Sequence, residues 1–360
     1  MSLCITKRKD GRFMGRFAVG RSADGKASYH YVYGKTYDEA LKKVQIGQEV
    51  ESRYLSNNNI SVSQAYQEWL SAIGNRVKES TCANYRTKFE KHILPEFGET
   101  LCCDLTAGKI NTFINKKLAD GLSAGYVRDI FTVLRSMLRY AQEEYGFHIS
   151  LRNVALPKIV KRKAEKISGG EQKKLTAYLK DNMDHTAIGI LLSLYMGLRI
   201  GELCGLRWAD IDLENKVIYV RRTIQRISVC GEKRKTKVII SSPKSDSSFR
   251  AIAIPDFIMP YLEDMRSGAE CYLLSGSENC VEPRAFQYRY KKILAKCRVK
   301  DHNFHQLRHT FATNCMQQGF DAKTLSIILG HKNVNITLNR YIHPDRVHER
   351  RLMNSISALF

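Results

Sequence analysis

The chain has 360 residues, of which 58 are lysine or arginine and 36 are aspartate or glutamate, and its formal net charge is +22. This length predicts two or three domains, and this charge predicts a polyanionic partner, with DNA or RNA ahead of an anionic membrane. Because no stretch approaches the ~18 continuous apolar residues of a membrane span and the first ten residues lack the apolar core of a signal peptide, we expect a soluble intracellular protein with no membrane contact.

Residues 3–33 contain three short runs rich in β-forming residues, separated by the turn sequences KDG and SADGK. The sequence TYDEALKKVQIGQEVESRYL follows, and Thr36 with Glu39 forms the pattern of a capping box at its start. We therefore predict a small three-stranded sheet with one helix on one face and the other face open. Its basic residues are expected to contact a nucleic-acid groove, namely Arg12, Arg16, Arg21 and Lys26.

The sequence NNNIS at residues 57–61 is typical of a linker, and helical patterns follow it to about residue 155. Four of the predicted helices have a candidate N-cap, at Ser61, Ser80, Thr106 and Ser123. Pro95 is expected to end the second helix. In the last helix apolar residues recur every three or four positions, while Arg128 and Arg135 occupy other positions. These patterns predict a helical bundle with basic outer faces.

A proline and a dense run of charges interrupt the helical pattern at residues 157–166, PKIVKRKAEK. We predict an exposed linker here, in which Lys161, Arg162 and Lys163 are placed to lie along a phosphate backbone. The sheet, the bundle and this linker therefore offer positive surface to one long ligand.

The largest predicted domain begins after this linker, where Ser168 and Glu171 form another capping-box pattern. The sequence HTAIGILLSLYMGLRIGELCGLRW then predicts one buried helix and the start of a second. Within it Arg199 lies among apolar residues, so its charge requires a partner. Glu202 is a candidate partner three residues on, and the pair is interpreted either as a structural ion pair or as part of a functional site.

Three strand-like runs follow, KVIYVRRTIQ, KTKVIIS and FRAIAIP. The connection between the second and third runs, SPKSDSSF, places Lys244 at a predicted hairpin tip near the end of the sheet. A lysine in a loop is usually only solvated, so this residue alone does not indicate chemistry. Two more helices are predicted downstream, in FIMPYLEDMRSG and in the basic sequence EPRAFQYRYKKILAKCRV.

Residues 304–343 collect side chains that can touch a phosphate or move a proton. If HQLRHTFATNCMQ is helical, His305 and Arg308 project from one face, about one turn apart. A second short helix is predicted to end just before His331. Tyr341 lies ten residues further on and is a candidate nucleophile toward phosphorus, because positive neighbours would assist its hydroxyl.

The sequence gives little indication of a metal or nucleotide site. Its ten cysteines are scattered without any C-x-x-C pair, so we interpret them as reduced thiols, mostly buried, rather than as disulfides or zinc ligands. It contains no G-x-x-x-x-G-K-[ST] and no H-E-x-x-H. A metal-dependent hydrolase that used His305 and His309 would lack an evident third ligand.

Six residues carry a resemblance to a known family: Arg199 in GLRIGEL, Lys244 in PKSDSSFR, His305 and Arg308 in HQLRHTF, His331 in LGHKN and Tyr341 in RYIH. In this order they resemble the tyrosine recombinases, the integrase family of phages and mobile elements. The arrangement is most similar to that of integrases from integrative conjugative elements, the conjugative transposons. The resemblance covers the whole chain, because the N-terminal sheet looks like an arm-type DNA-binding domain and the bundle looks like a core-site-binding domain.

The resemblance implies an α+β fold that is mostly helical. It implies an arm-type DNA-binding domain at residues 1–56, a helical core-site-binding domain at 57–156, the linker at 157–166 and a catalytic domain at 167–360. The catalytic domain would contain a small antiparallel sheet and a C-terminal tail helix. The implied function is site-specific recombination that integrates and excises a mobile element, in the bacterial cytoplasm at the nucleoid.

By this resemblance, Tyr341 attacks the scissile phosphate and forms a 3′-phosphotyrosyl link, while Arg199 and Arg308 hold the non-bridging oxygens. Lys244 protonates the departing 5′-oxygen. The exchange of a phosphodiester for a phosphotyrosine and back conserves bond energy, so neither a nucleotide nor a metal is needed and no cofactor is expected.

The resemblance also assigns supporting residues. His305 and His331 assist with proton handling and phosphate contact, and Glu202 occupies the place of an acidic residue that supports the site. His302 and His309 match no catalytic position and are expected to be structural.

The expected partner is double-stranded DNA at core and arm-type attachment sites, with an excisionase or a host DNA-bending protein as an accessory. The apolar end of the chain either folds back on its own domain or docks on a neighbouring protomer, as is common in the family, to couple the active sites of a homotetramer. Its apolar residues are Leu352, Met353, Ile356, Leu359 and Phe360.

Two other functions remain as alternatives. A type IB topoisomerase-like nicking-closing enzyme would share the tyrosine chemistry, but the N-terminal sheet favours binding at two kinds of DNA site. A DNA-binding regulator that does not cleave would not need the complete set of site residues.

Overall fold

The computed structural model describes residues 5–21, 27–57, 60–159, 166–229, 236–241, 249–341, 350 and 353–354. The chain forms two compact units, residues 1–160 and 161–360. Lys26, Lys161, Arg162, Lys163 and Lys244 lie outside the described residues, as does most of the predicted C-terminal tail. The division of the first unit at residue 56 stays a prediction.

The first unit begins with a three-stranded antiparallel sheet that one helix covers. The strands are β1 Ile5–Lys7, β2 Phe13–Arg21 and β3 Ala27–Gly34, in that spatial order, and the helix is α1 Tyr37–Asn57. On the covered face, Ala40 and Val44 of α1 are fully buried. The Thr36 hydroxyl accepts the Glu39 N–H at 3.2 Å, but the Glu39 carboxylate accepts the N–H of Lys35, so the predicted capping box is only half formed.

The opposite face of this sheet is open and combines tyrosines with arginines. Three tyrosines alternate along β3 and are 42%, 47% and 39% exposed: Tyr29, Tyr31 and Tyr33. The guanidinium of Arg16 lies 4.7 Å from the centre of the Tyr29 ring, and that of Arg12 lies 5.9 Å from the Tyr33 ring. Arg21 is the last residue of β2. We call Arg12, Arg16 and the three tyrosines the aromatic–basic face.

Five helices form the rest of the first unit: α2 Val62–Gly74, α3 Glu79–Lys88, α4 Leu94–Phe97, α5 Ala107–Ala119 and α6 Ala124–Tyr145. Ser61 caps α2 in a complete capping box with Gln64, and Thr106 and Ser123 cap α5 and α6, as predicted. The apolar faces of these helices form one core, which includes Trp69, Phe113, Ile130 and Leu134.

Two predictions for the second helix of this bundle were wrong. Helix α3 begins at Glu79 after Lys78, without a side-chain cap, so Ser80 lies inside its first turn. Pro95 does not end the helical run, because a π-helical turn, Phe89–Ile93, leads into α4. Pro95 falls in the first turn of α4, directly after this π-helical turn.

The two arginines predicted on the outer face of α6 have different surroundings. Arg135 is exposed, and its guanidinium lies 5.9 Å from the Phe131 ring. Arg128 is half-buried and donates to the carbonyl of Pro157 at 3.1 Å. Arg135 is therefore the more accessible of the two to a ligand.

The second unit is α+β and mostly helical, as predicted. Its helices are α7 Gly169–Asp181, α8 His185–Met196, α9 Ile200–Cys204, α10 Met259–Asp264, α11 Pro283–Lys296, α12 His305–Gln317, α13 Ala322–Leu329 and α14 Val334–Tyr341. Its strands are β4 Ile211–Asp212, β5 Val217–Val220, β6 Thr223–Ser228, β7 Thr236–Ser241 and β8 Arg250–Ala253. They form an antiparallel sheet in the order β4-β5-β8 and a separate pair β6-β7.

The strand pattern differs from the prediction in one respect. The run KVIYVRRTIQ forms two strands, β5 and β6, which pair with different partners. Because β7 pairs with β6 while β8 pairs with β5, the connection that contains Lys244 joins two sheets. The predicted hairpin tip at this place was therefore wrong.

Helix α8 is buried on nearly all sides and organises the core of the second unit. It ends at Gly197, whose φ is +69°, and a Cβ at this position would lie 2.6 Å from the ring of Phe311 on α12. Only glycine permits this close approach at a left-handed helix end, so Gly197 brings the start of α9 close to α12. Within the described residues, every helix is too short or too polar to cross a membrane.

Candidate active site

Five of the predicted site residues lie at helix ends in the second unit. Arg199 immediately precedes α9, His305 opens α12, and Arg308 follows one turn later. His331 follows the C-cap of α13, and Tyr341 is the last residue of α14. Packed helices hold side chains more firmly than loops do, so the positions of these residues are set by the core.

Three arginines donate to three consecutive carbonyl oxygens at the C-terminal end of α13. The contacts are Arg250 Nε to Ile328 at 2.6 Å, Arg308 Nη2 to Leu329 at 2.5 Å and Arg199 Nη2 to Gly330 at 3.3 Å. The last carbonyls of a helix have no partner within it and carry the negative end of its dipole, so they stabilise cations. Helix α13 thus gathers Arg199, Arg250 and Arg308, which we call the arginine cluster.

Glu202 joins two members of this cluster. Its Oε1 accepts from Nη1 of Arg199 at 2.7 Å and from Nη1 of Arg250 at 3.0 Å, and its Oε2 accepts from Nη2 of Arg250 at 2.9 Å. Burial raises the pKa of this carboxyl, but the hydrogen bonds and charges of Arg250 and Arg199 outweigh burial and lower the pKa to about 2. Glu202 is therefore ionised at neutral pH, within a network larger than the predicted pair.

Arg308 is the most deeply buried member of the cluster, with 1% of its surface exposed. Besides its bond to Leu329, it donates from Nη1 to the carbonyl of Gly197 at 2.6 Å, so it connects the ends of α8 and α13. Burial and the positive charges of Arg199 and Arg250 lower the pKa of its guanidinium. An arginine nevertheless remains protonated at neutral pH.

An open cavity of about 540 Å³ lies beside the cluster. Its lining includes the exposed His305 and three arginines, Arg199, Arg226 and Arg284. Arg226 is paired with Glu282, with Nε 2.9 Å from Oε2. Arg284 is exposed, so the cavity presents guanidinium groups from separate elements, which suits an anionic ligand.

Tyr341 is 8% exposed and packs in a small core with Phe311, Leu325 and Leu329. Its ring lies nearly parallel to that of His331, with 6.4 Å between the ring centroids. Nδ1 of His331 shares a hydrogen bond of 2.8 Å with the hydroxyl of Thr337, which belongs to α14. The helix that carries Tyr341 therefore also holds His331 in place.

The structure shows site residues that the sequence did not indicate. The sequence predicts Arg250 only as part of a strand, and the one available signal is a charge at a position of the alternating run that lies on the buried side. No pattern in the sequence indicates Thr337. His309 was expected to be structural, and its buried ring lies 4.7 Å from that of His305 and 5.6 Å from that of Tyr341.

His302 is buried away from these residues, and its Nε2 lies 3.2 Å from the carboxylate of Glu171. The described cysteines are free thiols, four of them buried and four partly exposed. Within the described ranges, no three His, Cys, Asp or Glu side chains are grouped as a metal site would require.

This arrangement suits a reaction at a phosphodiester. Guanidinium groups offer forked hydrogen bonds that match phosphoryl oxygens and stabilise the charge that develops on them. A phenol beside such groups can act as the nucleophile, and the neighbouring imidazoles can carry its proton.

Comparison with known proteins gives consistent matches over both units. The profile of the phage integrase family matches residues 166–348, and that of the phage integrase N-terminal SAM-like domain matches residues 61–118. A XerC-like tyrosine recombinase from Caldanaerobacter subterraneus subsp. tengcongensis is 28% identical over 95% of this chain and 95% of its own length.

Two solved structures share the fold. The integrase of transposon Tn1549, solved in complex with a circular intermediate DNA, has a TM-score of 0.67 at 21% identity, over 82% of this chain and 99% of its own. The lambda integrase, solved as a tetramer bound to a Holliday junction, has a TM-score of 0.57 at 18% identity, over 91% of this chain and 95% of its own.

Proposed function

The chain belongs to the phage integrase family of tyrosine recombinases, and we propose that it is a site-specific DNA recombinase that integrates and excises a mobile element. The observation that carries this proposal is the gathering of Arg199 and Arg308 at the end of α13, beside His331 and close to the helix that carries Tyr341. The mobile element is proposed because the order of the site motifs is similar to that of conjugative-element integrases.

In the proposed reaction, the Tyr341 oxygen forms a bond to the scissile phosphorus and the bond from phosphorus to the 5′-oxygen breaks. The protein is left linked to the 3′-phosphate. Lys244 supplies the proton to the departing 5′-oxygen. A 5′-hydroxyl from another DNA strand then attacks the phosphotyrosine and releases the tyrosine, so bonds made and broken are balanced.

The remaining site residues support this exchange. Arg199 and Arg308 are proposed to hold the non-bridging oxygens, in place of the metal ion that many phosphoryl-transfer enzymes use. His305 and His331 are proposed to receive the phenolic proton and to contact the phosphate. Because Tyr341 is buried in the free protein, α14 must move enough to present its hydroxyl to bound DNA.

The first unit is proposed to bind DNA at two kinds of site. Residues 57–156, with Arg128 and Arg135, would bind the core site, and Lys161, Arg162 and Lys163 of the linker would follow the phosphate backbone between the domains. The N-terminal sheet would bind arm-type sites through its aromatic–basic face, and Arg21 and Lys26 are proposed as further contacts. An excisionase or a host DNA-bending protein would then bias the direction of recombination.

The active assembly is proposed to be a homotetramer on DNA, linked by the C-terminal tail. The solved tetramer of lambda integrase supports this proposal, because that protein shares the fold and is bound to a Holliday junction. The apolar residues after Ser355 would then cover a surface of a neighbouring protomer.

Removal of residues 1–56 is expected to weaken binding to arm-type DNA by at least about tenfold while cleavage at the core site continues, because these residues are proposed to contact only the arm sites. A full-length variant, Arg16→Ala with Tyr31→Ala, should weaken arm binding in the same way, since it empties the centre of the aromatic–basic face. Gel shifts on separate arm and core duplexes measure both affinities. Equal losses on the two duplexes would show that the proposed division of labour is wrong.

The proposed function is tested with a suicide substrate, which is a core-site duplex with a nick close to the cleavage point. After cleavage, the short fragment that carries the new 5′-hydroxyl diffuses away, so the strand cannot be rejoined. We expect a covalent protein–DNA adduct to accumulate in the presence of EDTA. With two intact core-site duplexes, the same protein should yield recombinant duplexes in which one end comes from each starting duplex. Relaxation of supercoiled plasmid with no exchanged product at any site pair would instead support the topoisomerase-like function, and an adduct that requires a divalent metal would contradict the mechanism.

A further inference from the structure

We propose that Arg250 is a positioning residue of the active site: it holds Glu202 and the end of α13 together, so that Arg199 keeps its orientation and its exposed edge at the cavity where the DNA phosphate is proposed to bind. This inference rests on the proposed function, because it concerns the same phosphate site. Arg250 is not one of the six residues that carry the family resemblance.

The contacts of Arg250 connect three separate parts of the second unit. Arg250 begins β8, and 6% of its surface is exposed. Its Nε donates to Ile328 on α13, and both terminal nitrogens donate to the two oxygens of Glu202 on α9. A planar guanidinium can make these three contacts at once, whereas the single ammonium of lysine cannot span them.

Arg250 affects Arg199 through Glu202, because both arginines donate to the same carboxylate. The Glu202 carboxylate is buried, and a buried carboxylate requires nearby positive charge and hydrogen bonds. With Arg250 present, Arg199 donates to Glu202 only its backbone N–H and one terminal nitrogen of its side chain, and that side chain remains 34% exposed at the cavity. Without Arg250, Glu202 would draw both ends of the Arg199 fork toward itself and away from the phosphate.

The charges around Glu202 also predict an effect on pH dependence. The charged groups that face it are Arg199 at the start of α9, Arg250 from β8 and Arg308 from α12. With all three in place the carboxyl has a low pKa and stays ionised throughout the working range of pH. Loss of Arg250 removes the strongest pairing but leaves the burial, so the carboxyl pKa rises. As the pH falls through this raised pKa, Glu202 becomes neutral and no longer holds Arg199.

The test compares Arg250→Gln and Arg250→Lys with a matched control, Arg222→Gln. Arg222 is a half-buried arginine that pairs with the buried Asp210 at 3.0 Å. The readouts are the affinity for a core-site duplex and the single-turnover rate of adduct formation on the suicide substrate, each measured from about pH 5.5 to pH 8.5.

We expect Arg250→Gln to bind the duplex within about threefold of the natural chain and to form the adduct about 10- to 100-fold more slowly, as is usual when a residue that orients a reactive group is removed. The ratio of its rate to that of the natural chain should also fall toward the acid end of the range, because protonation of Glu202 adds to any pH dependence that the two chains share. Arg250→Lys should recover part of the rate, since it keeps a charge beside Glu202. Arg222→Gln should match the natural chain in rate and in pH profile.

The variant Glu202→Gln completes a double-mutant cycle. If Arg250 acts through Glu202, the two substitutions together should slow the reaction much less than the product of their separate effects. Effects that multiply, or an Arg250→Gln rate and pH profile equal to those of Arg222→Gln, would overturn the inference. If Arg250→Gln does not fold, Arg250→Lys decides by the same rate and pH readouts. Failure of the natural chain to form any adduct would instead contradict the proposed function.

Discussion

Tyr341→Phe is expected to bind core-site DNA as tightly as the natural chain and to form no covalent adduct. The change removes one oxygen and keeps the ring, so the packing of Tyr341 against Phe311 and beside His331 should be preserved. Removal of an attacking group commonly costs at least about 10⁴-fold in rate, because no neighbouring group can replace it. The measurement is denaturing gel electrophoresis of the suicide-substrate reaction, with gel shift on the intact duplex for affinity.

Tyr195→Phe is a matched control for this substitution. Tyr195 lies in the same unit, and its hydroxyl is hydrogen-bonded to Thr176 at 3.0 Å, away from the arginine cluster. It should form the adduct at the natural rate. An adduct that persists in Tyr341→Phe would remove Tyr341 from its proposed role, and loss of DNA binding in that variant would mean that the hydroxyl is needed for the fold or for recognition.

Arg199→Lys is expected to slow adduct formation by about 100- to 1,000-fold, the usual cost of removing a donor that stabilises a developing charge. Arg199 uses separate nitrogens for Glu202 and for the carbonyl of Gly330, while it lines the cavity where the phosphate is proposed to bind. Lysine keeps the charge but presents one ammonium, so it cannot hold this orientation and contact two phosphoryl oxygens together. Single-turnover kinetics at saturating protein separate this effect from weakened binding.

Arg222→Lys is the corresponding control. Arg222 also makes a forked contact, with its two terminal nitrogens 3.0 Å and 3.5 Å from the carboxylate of Asp210. The same chemical change should leave adduct formation within about threefold of the natural rate, in line with an ordinary substitution away from a site. If both variants react equally fast, the contribution of Arg199 is that of a simple positive charge, and the forked geometry is not required.

The helices that the sequence predicted best have local signals at their ends. The capping boxes at Ser61 and Ser168 and the caps at Thr106 and Ser123 are all present, because each depends only on residues within one turn. Ser80 is not a cap because the helix starts at Glu79, two residues before the start that a cap at Ser80 predicts. Helix ends without a side-chain cap leave no such local signal.

Predictions that depended on distant pairing were less successful. Pro95 lies within a helical run, because a π-helical turn just before it leads into α4, and the repeating apolar pattern of the sequence did not predict that turn. The strand run KVIYVRRTIQ divides because its two halves pair with β8 and with β7, which lie on either side of the connection that contains Lys244. Local patterns show that strands exist but do not decide which strands pair.

In the candidate site too, features set by local sequence could be predicted, and features set by long-range packing could not. The spacing of His305 and Arg308 on one helix and the position of His331 past a helix end could be predicted from the sequence, and the structure has both. The contacts of Arg250 with Glu202 and Ile328 could not be predicted, because they arise only when β8, α9 and α13 pack together.

The end of α13 couples the positions of the three arginines in the cluster. Because Arg199, Arg250 and Arg308 donate to adjacent carbonyls, a small displacement of the end of α13 would move all three guanidinium groups together. His331 follows directly and is bonded through Thr337 to the helix of Tyr341. The proposed phosphate-binding groups and the proposed nucleophile are therefore connected through a single helix end.

Peptide mapping of the trapped adduct identifies the atom that attacks phosphorus. After nuclease and protease digestion, mass spectrometry should find the nucleotide remnant on the peptide that contains Tyr341, linked through a 3′-phosphate. A remnant attached to any other side chain, or one linked through a 5′-phosphate, would contradict the proposal that the Tyr341 oxygen replaces the 5′-end of the cut strand.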